Sequence, residues 1–194
     1  MKIKKFNFEF FGLPSVGKTT LASALAKAEL GPIITVNYQL ERLLYPFLFL
    51  LTHPIVFFRF YFLSLKESGD NRKLFKHKRH LFLLALAKET KATWSLGGII
   101  DDGLYQFLLS VYEKKITQTE AEKILSWLDN KRKIVIVETP NQIRGERLLA
   151  RGRIPRKFLG EAYLINWSKV LEHNYQIFKK ILIESRDCQV INNQ

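Results

Sequence analysis

A chain of 194 residues that is 47% hydrophobic and 25% charged has the size and balance of one globular domain, which excludes a disordered polymer. Its single cysteine, Cys188, excludes an intrachain disulfide and suits a reducing compartment, so a cytoplasmic location is expected. The formal charge of +13 attracts polyanions (nucleotides, nucleic acid or an anionic membrane surface) without choosing among them.

The chain opens on Lys2, Lys4 and Lys5, but the apolar run behind them is short and carries Glu9, so it reads as a strand over Lys5–Phe11 rather than a secretory signal. A helix is predicted over Lys18–Leu30, with Leu21, Leu25 and Ala28 on one face and Gly31-Pro32 as its stop. Ile33–Val36 reads as the second strand. An aromatic-rich stretch follows from Leu40 to Leu65, then a basic patch at Arg72–His80 and a helical pattern over Leu81–Trp94. Ile99-Ile100 is the third strand, ending in Asp101-Asp102-Gly103. Two helices fill Leu104–Asp129, the second capped by Thr117 and Glu120 at capping-box spacing. Ile134–Val137 is the fourth strand, Asn141–Ala150 a helix, Leu159–Ser185 a long amphipathic helix and Cys188–Ile191 the last strand. Strands alternating with helices predict an α/β fold: a three-layer arrangement with a five-stranded parallel sheet flanked by helices, in a single domain over residues 1–194.

One motif carries chemistry. Gly12-Leu-Pro-Ser-Val-Gly17-Lys18-Thr19 matches G-x-x-x-x-G-K-[ST] in full, follows a predicted strand and opens a predicted helix. The loop residues Gly12, Pro14, Ser15, Val16 and Gly17, with Thr20 in the helix, offer backbone N–H groups and a helix N-terminus to phosphates. Lys18 reaches the β- and γ-phosphates and Thr19 ligates Mg²⁺. Phosphoryl transfer also needs a carboxylate near the loop, and Asp101, leaving the third strand, is the candidate for holding Mg²⁺ or taking a proton. The segment of about 144–157, with Arg144, Arg147, Arg151, Arg153, Arg156 and Lys157, reads as a lid that brings cations to the transferring group.

These residues together resemble the P-loop nucleotide and nucleoside kinases, and the thymidylate kinases above all. Asp101-Asp102-Gly103 occupies the place of that family's acidic motif, and Ile134–Pro140 with Glu146–Arg153 resembles its fourth strand and the helix leading to its lid. The resemblance implies ATP and Mg²⁺ as donor and cofactor, Arg147 near the adenine, Arg151 and Arg153 near the phosphates with Arg153 catalytic, and Asp101 as base or metal partner. Lys88 and Asp102 fall on the acceptor side, within a helical region of about 40–95. Asp102 stands where the family has arginine, Lys88 does not reproduce a bidentate arginine, and Val36-Asn37-Tyr38-Gln39 lacks the family's Asp-Arg. The acceptor is therefore open: a nucleoside, a nucleotide or a related small molecule.

The aromatic stretch contains Pro46, His53 and Pro54 and lies between two strands, so it is expected to pack over the sheet and wall the acceptor pocket. A lipid-facing role beside the basic patch is the other reading. The rival to a kinase is a non-catalytic, nucleotide-dependent binder of nucleic acid or an anionic membrane. A guanine-reading Asn-Lys-x-Asp is missing, since Lys133 takes the aspartate's place in Asn130–Lys133. The expected partner is a small-molecule phosphoryl acceptor rather than nucleic acid, with peripheral membrane contact and a homodimer both compatible with the sequence.

Overall fold

The computed structural model describes residues 7–28, 30–95, 97–128, 132–150 and 156–193. In chain order these form β1 (Asn7–Phe11), α1 (Lys18–Lys27), α2 (Gln39–Thr52), α3 (Pro54–Lys66), α4 (Arg72–Trp94), β2 (Gly98–Ile100) and α5 (Leu104–Val111). Then follow α6 (Gln118–Leu125), β3 (Lys133–Glu138), α7 (Asn141–Ala150), a 3-10 turn at Lys157–Leu159, α8 (Glu161–Ser185) and β4 (Cys188–Asn192).

The four strands pair in parallel in the order β2-β1-β3-β4. Every residue from Ile134 to Val137 is buried. Neighbouring residues of a strand point to opposite faces, so helices cover both sides of the sheet, as an α/β fold with three layers requires. On one face of β1, Phe11 stacks on Tyr175 of α8 with ring centroids 5.6 Å apart.

The expected second strand, Ile33–Val36, contracts to a single parallel bridge, Ile33 with Ile99, which leaves four strands among the described residues. Ile34 N–H donates to Ile99 O at 2.9 Å and Ile99 N–H to Pro32 O at 2.8 Å. Pairing stops there because the next backbone groups bond to side chains. Lys91 Nζ donates to Thr35 O at 2.9 Å, and Glu41 Oε2 accepts the Asn37 N–H at 3.0 Å. The approach to β2 is close. A Cβ on Gly98 would stand 2.5 Å from Ile34 Cδ1 and 2.9 Å from Pro32 O, so only glycine fits.

Two helical expectations change, and one residue of the basic patch is internal. The basic patch and the helix after it form one continuous α4, capped by Asn71, whose side chain accepts the Leu74 N–H at 3.0 Å. The aromatic stretch becomes two helices, α2 and α3, bent by 117° at His53-Pro54. The patch is not wholly a solvated face, since Lys78 is fully buried, bonded to Glu67 O at 2.7 Å and Glu113 at 2.8 Å. The capping box at α6 forms as its spacing predicts: Glu120 N–H donates to Thr117 Oγ1 at 3.2 Å and Thr117 N–H to Glu120 Oε2 at 2.8 Å. No single helix among the described residues is long and apolar enough to cross a membrane.

Candidate active site

The loop between β1 and α1 has the geometry of an anion cradle. Ser15 (φ 67°) and Gly17 (φ 94°) are left-handed and flank Val16, an alternation that turns successive N–H groups to one side. Gly12 meets β3 so closely that a Cβ there would lie 2.6 Å from Val137 O. Lys18 Nζ folds back over the loop, donating to Gly12 O at 3.0 Å and Leu13 O at 3.1 Å.

Two elements brace the loop from behind. Asn193, after β4, donates from Nδ2 to Val16 O at 2.8 Å. Thr139, after β3, places its hydroxyl 3.0 Å from both Val16 O and Asn193 O and can donate to one at a time. Arg147 of α7 reaches the same corner, 3.5 Å from Thr139 Oγ1 and beside Gly17.

Both acids after β2 face the loop. Asp101 Oδ2 accepts from Thr19 Oγ1 at 3.5 Å, and Asp102 Oδ1 lies 3.9 Å from Lys18 Nζ. The other oxygen of Asp101 is held by Lys88 Nζ at 2.5 Å. Lys88, assigned by resemblance to the acceptor, is thus largely buried and points at the carboxylate. Thr19 and Asp101 fit Mg²⁺. That ion takes one or two protein oxygens and fills its remaining positions with phosphate and water. Among the described residues, no group of three or more His, Cys, Asp or Glu side chains offers an all-protein cage.

A cavity of about 380 Å³ opens in front of the loop. Pro14, Ser15, Gly17, Lys18 and Thr19 form its floor, and Asp102 and Gln106 give it polar edges. Its remaining wall is mainly apolar, with Leu81, Phe107 and Trp167 from α4, α5 and α8. None of its lining residues comes from the aromatic segment 40–65; α4 and α5 stand where that segment was expected.

Two buried groups escape the sequence reading. Glu9 on β1 is fully buried, and its Oε1 accepts the Tyr105 N–H of α5 at 2.7 Å. The next residue, Gln106, accepts the Gly12 N–H at 3.2 Å, so α5 is tied both to β1 and to the phosphate loop. Burial pushes the Glu9 carboxyl up to about 8, reinforced by Glu89 and opposed by Arg132. Gly103 packs closely beside it, and a Cβ there would lie 2.5 Å from Glu9 Oε1 and force that carboxyl to shift.

The second group is a charge cluster at the far end of the cavity. Arg156, left-handed at φ 62° and nearly fully buried, bonds through Nη1 to Glu113 Oε1 and to Tyr163 OH, each at 2.5 Å. It also donates to Ser110 O, and its guanidinium lies 4.2 Å from the Trp167 ring centroid. Lys78 shares Glu113, and burial brings its amine down to about 8. Arg151 and Arg153 lie outside the described residues, so their expected roles at the phosphates rest on the sequence. Only a run of lid arginines hinted at Arg156, and nothing marked which would be internal.

No protein-family model matches this chain, and no curated protein matches it in sequence. Solved structures do. The deoxyadenosine kinase of M. mycoides with bound dATP is 15% identical, over 97% of this chain and 91% of that one, at a TM-score of 0.56. The same enzyme with products dCMP and a flexible dCDP is 16% identical, over 96% and 90%, at a TM-score of 0.56. With bound dCTP the identity is 14%, over 97% and 90%, at a TM-score of 0.51. At such identities the likeness shows the fold alone, shared with that enzyme along nearly the whole chain.

Proposed function

We propose that this protein is an ATP- and Mg²⁺-dependent kinase that phosphorylates a small hydroxyl-bearing acceptor of the nucleoside class. The reading rests above all on one juxtaposition. The phosphate loop with Thr19 floors a single cavity with a largely apolar wall, Asp102 stands at its edge, and Asp101 lies just behind it, 3.5 Å from Thr19. The fold shared with deoxyadenosine kinase agrees with it.

The loop amides and Lys18 hold the β- and γ-phosphates, Lys18 leaving its two loop carbonyls to do so. Thr19 and Asp101 hold Mg²⁺, which when bound neutralises charge on the phosphate oxygens. Asp102 lines the cavity and Asp101 does not, so Asp102 faces the acceptor hydroxyl. The hydroxyl oxygen bonds to the γ-phosphorus as the bond to the β–γ bridging oxygen breaks; the hydroxyl proton passes to the carboxylate and ADP leaves. Arg147 stands at the loop's outer corner, where it supports the nucleotide, and the arginines of 151–153 supply further charge from the lid.

A neutral acceptor suits the acceptor side better than a nucleoside monophosphate. Arg156, which lines the cavity, is engaged by Glu113, Tyr163 and Ser110, and Lys88 is held by Asp101. A screen of nucleosides, nucleoside monophosphates and sugars with labelled ATP tests this. Magnesium-dependent transfer to nucleosides is the expected result. Transfer to monophosphates alone would restore a thymidylate kinase-like activity. Tight ATP binding without transfer to any acceptor would sink the catalytic reading.

A further inference from the structure

The segment expected to wall the acceptor cavity is exposed instead. On α2 the side chains of Leu40, Leu43, Leu44, Phe47 and Leu51 are open to solvent, with Leu43 at 72% exposure. Their spacing of three and four residues forms one stripe along the helix. On α3, Ile55, Phe58, Phe62 and Leu65 repeat the pattern, with Ile55 at 66%. The opposite faces, with Pro46 and Phe49 on α2 and Phe60 on α3, are buried. At the bend between the two helices Leu51, Pro54 and Ile55 are exposed as well. Ridges of this size are uncommon on a monomer without a partner.

Charge indicates what covers it. There is no Asp or Glu between Arg42 and Lys66, Glu41 at the start of α2 is paired with Lys91, and from Arg42 to Arg79 seven exposed Lys and Arg stand against two acids, Glu67 and Asp70. Glu67 is turned inward, accepting the Glu113 N–H at 3.0 Å. The first turns of α4 lie against the end of α3, where Tyr61 meets Phe75 with centroids 5.9 Å apart. Arg72, Lys73, Lys76 and Arg79 in these turns are exposed. An apolar ridge accompanied by exposed cations and by few acids matches an anionic bilayer, where apolar side chains enter the headgroup boundary and basic residues near the surface add attraction.

We propose that α2 and α3 dock this protein on an anionic lipid surface, leaving the phosphate loop and its cavity, which they do not line, accessible to nucleotide. The test is flotation of the full chain with vesicles of phosphatidylcholine alone, or of phosphatidylcholine with phosphatidylglycerol, at low and high salt. Binding to the anionic vesicles is expected to exceed that to neutral ones by at least about tenfold and to weaken with salt. The variant L43Q/F47Q/F62Q is expected to lose at least about tenfold of that binding. It should keep its thermal melt and its affinity for a fluorescent ATP analogue. Equal or no binding to both vesicles, or undiminished binding by the variant, would overturn the proposal. So would a wild-type dimer in sedimentation velocity that the variant converts to monomer, since a second copy would then cover the ridge.

Discussion

Lys88 Nζ stands 2.5 Å from Asp101 Oδ1, while the other oxygen of that carboxylate lies 3.5 Å from Thr19 Oγ1. A single acid is thus shared between a lysine on α4 and the first turn of the helix that follows the phosphate loop. The lysine holds the carboxylate beside Thr19, the pair proposed to hold Mg²⁺. Asp102, one residue later, turns to Lys18 and the cavity.

That division of labour separates two variants. Asp101→Asn should abolish the enhancement of ATP binding by Mg²⁺ while leaving metal-free binding near wild type, and should lower kcat by about 100-fold. Asp102→Asn should lower kcat by a similar factor with the Mg²⁺ dependence of binding unchanged. Calorimetric titration with ATP, with and without Mg²⁺, decides it. Loss of the metal effect in D102N rather than D101N would reverse the two roles.

The buried Glu9 makes stability depend on pH. Its folded value of about 8 lies above the ordinary 4.5, so the folded chain holds the proton more tightly than the unfolded one. The stability this group allows is therefore full below about 4.5 and is lost as pH rises through about 8. Glu9→Gln mimics the protonated carboxyl and can still accept the Tyr105 N–H. It should melt like wild type near pH 5 and above it near pH 9. A wild-type Tm that rises across this range would contradict the assignment.

The phosphate loop was legible because all its parts lie within eight consecutive residues whose jobs are local: two glycines, a lysine, a threonine and a helix start. The parallel sheet was legible because short apolar runs recur between helical patterns. Glu9 was not, because it reads as the polar alternate of a strand, and the partner that links α5 to Gly12, Gln106, is 94 residues from that glycine. The aromatic stretch was misread for a related reason. Periodicity shows that a helix has an apolar face but not what that face meets, and α4 took the place beside the cavity.

The cluster around Glu113 holds two cations with one carboxylate. Glu113→Ala would leave Lys78 and Arg156 buried without their counter-ion, and should destabilise the fold by about 3 kcal/mol. Lys78→Met, which removes a cation that burial already disfavours, should cost less than half of that. Denaturant titration of the two variants compares them directly; equal losses would mean that packing, not charge, dominates the site.

Gly17 and Asn193 offer the sharpest test of how the loop is braced. A Cβ on Gly17 would stand 2.1 Å from Asn193 Nδ2, and its φ of 94° is costly for any other residue. Gly17→Ala therefore suffers twice, by collision and by backbone strain of about 1 kcal/mol or more. Asn193→Ala removes the collision and also the bond to Val16 O, with Thr139 still within 3.0 Å of the same carbonyl. On its own N193A should weaken ATP binding by about fivefold, the worth of one hydrogen bond. In the double variant the collision is relieved while the strain and the lost Val16 bond remain, so ATP binding should be tighter than in G17A alone if the collision outweighs that bond. A double variant that binds no better than G17A would show that the left-handed turn at Gly17, and not its contact with Asn193, is what the glycine serves.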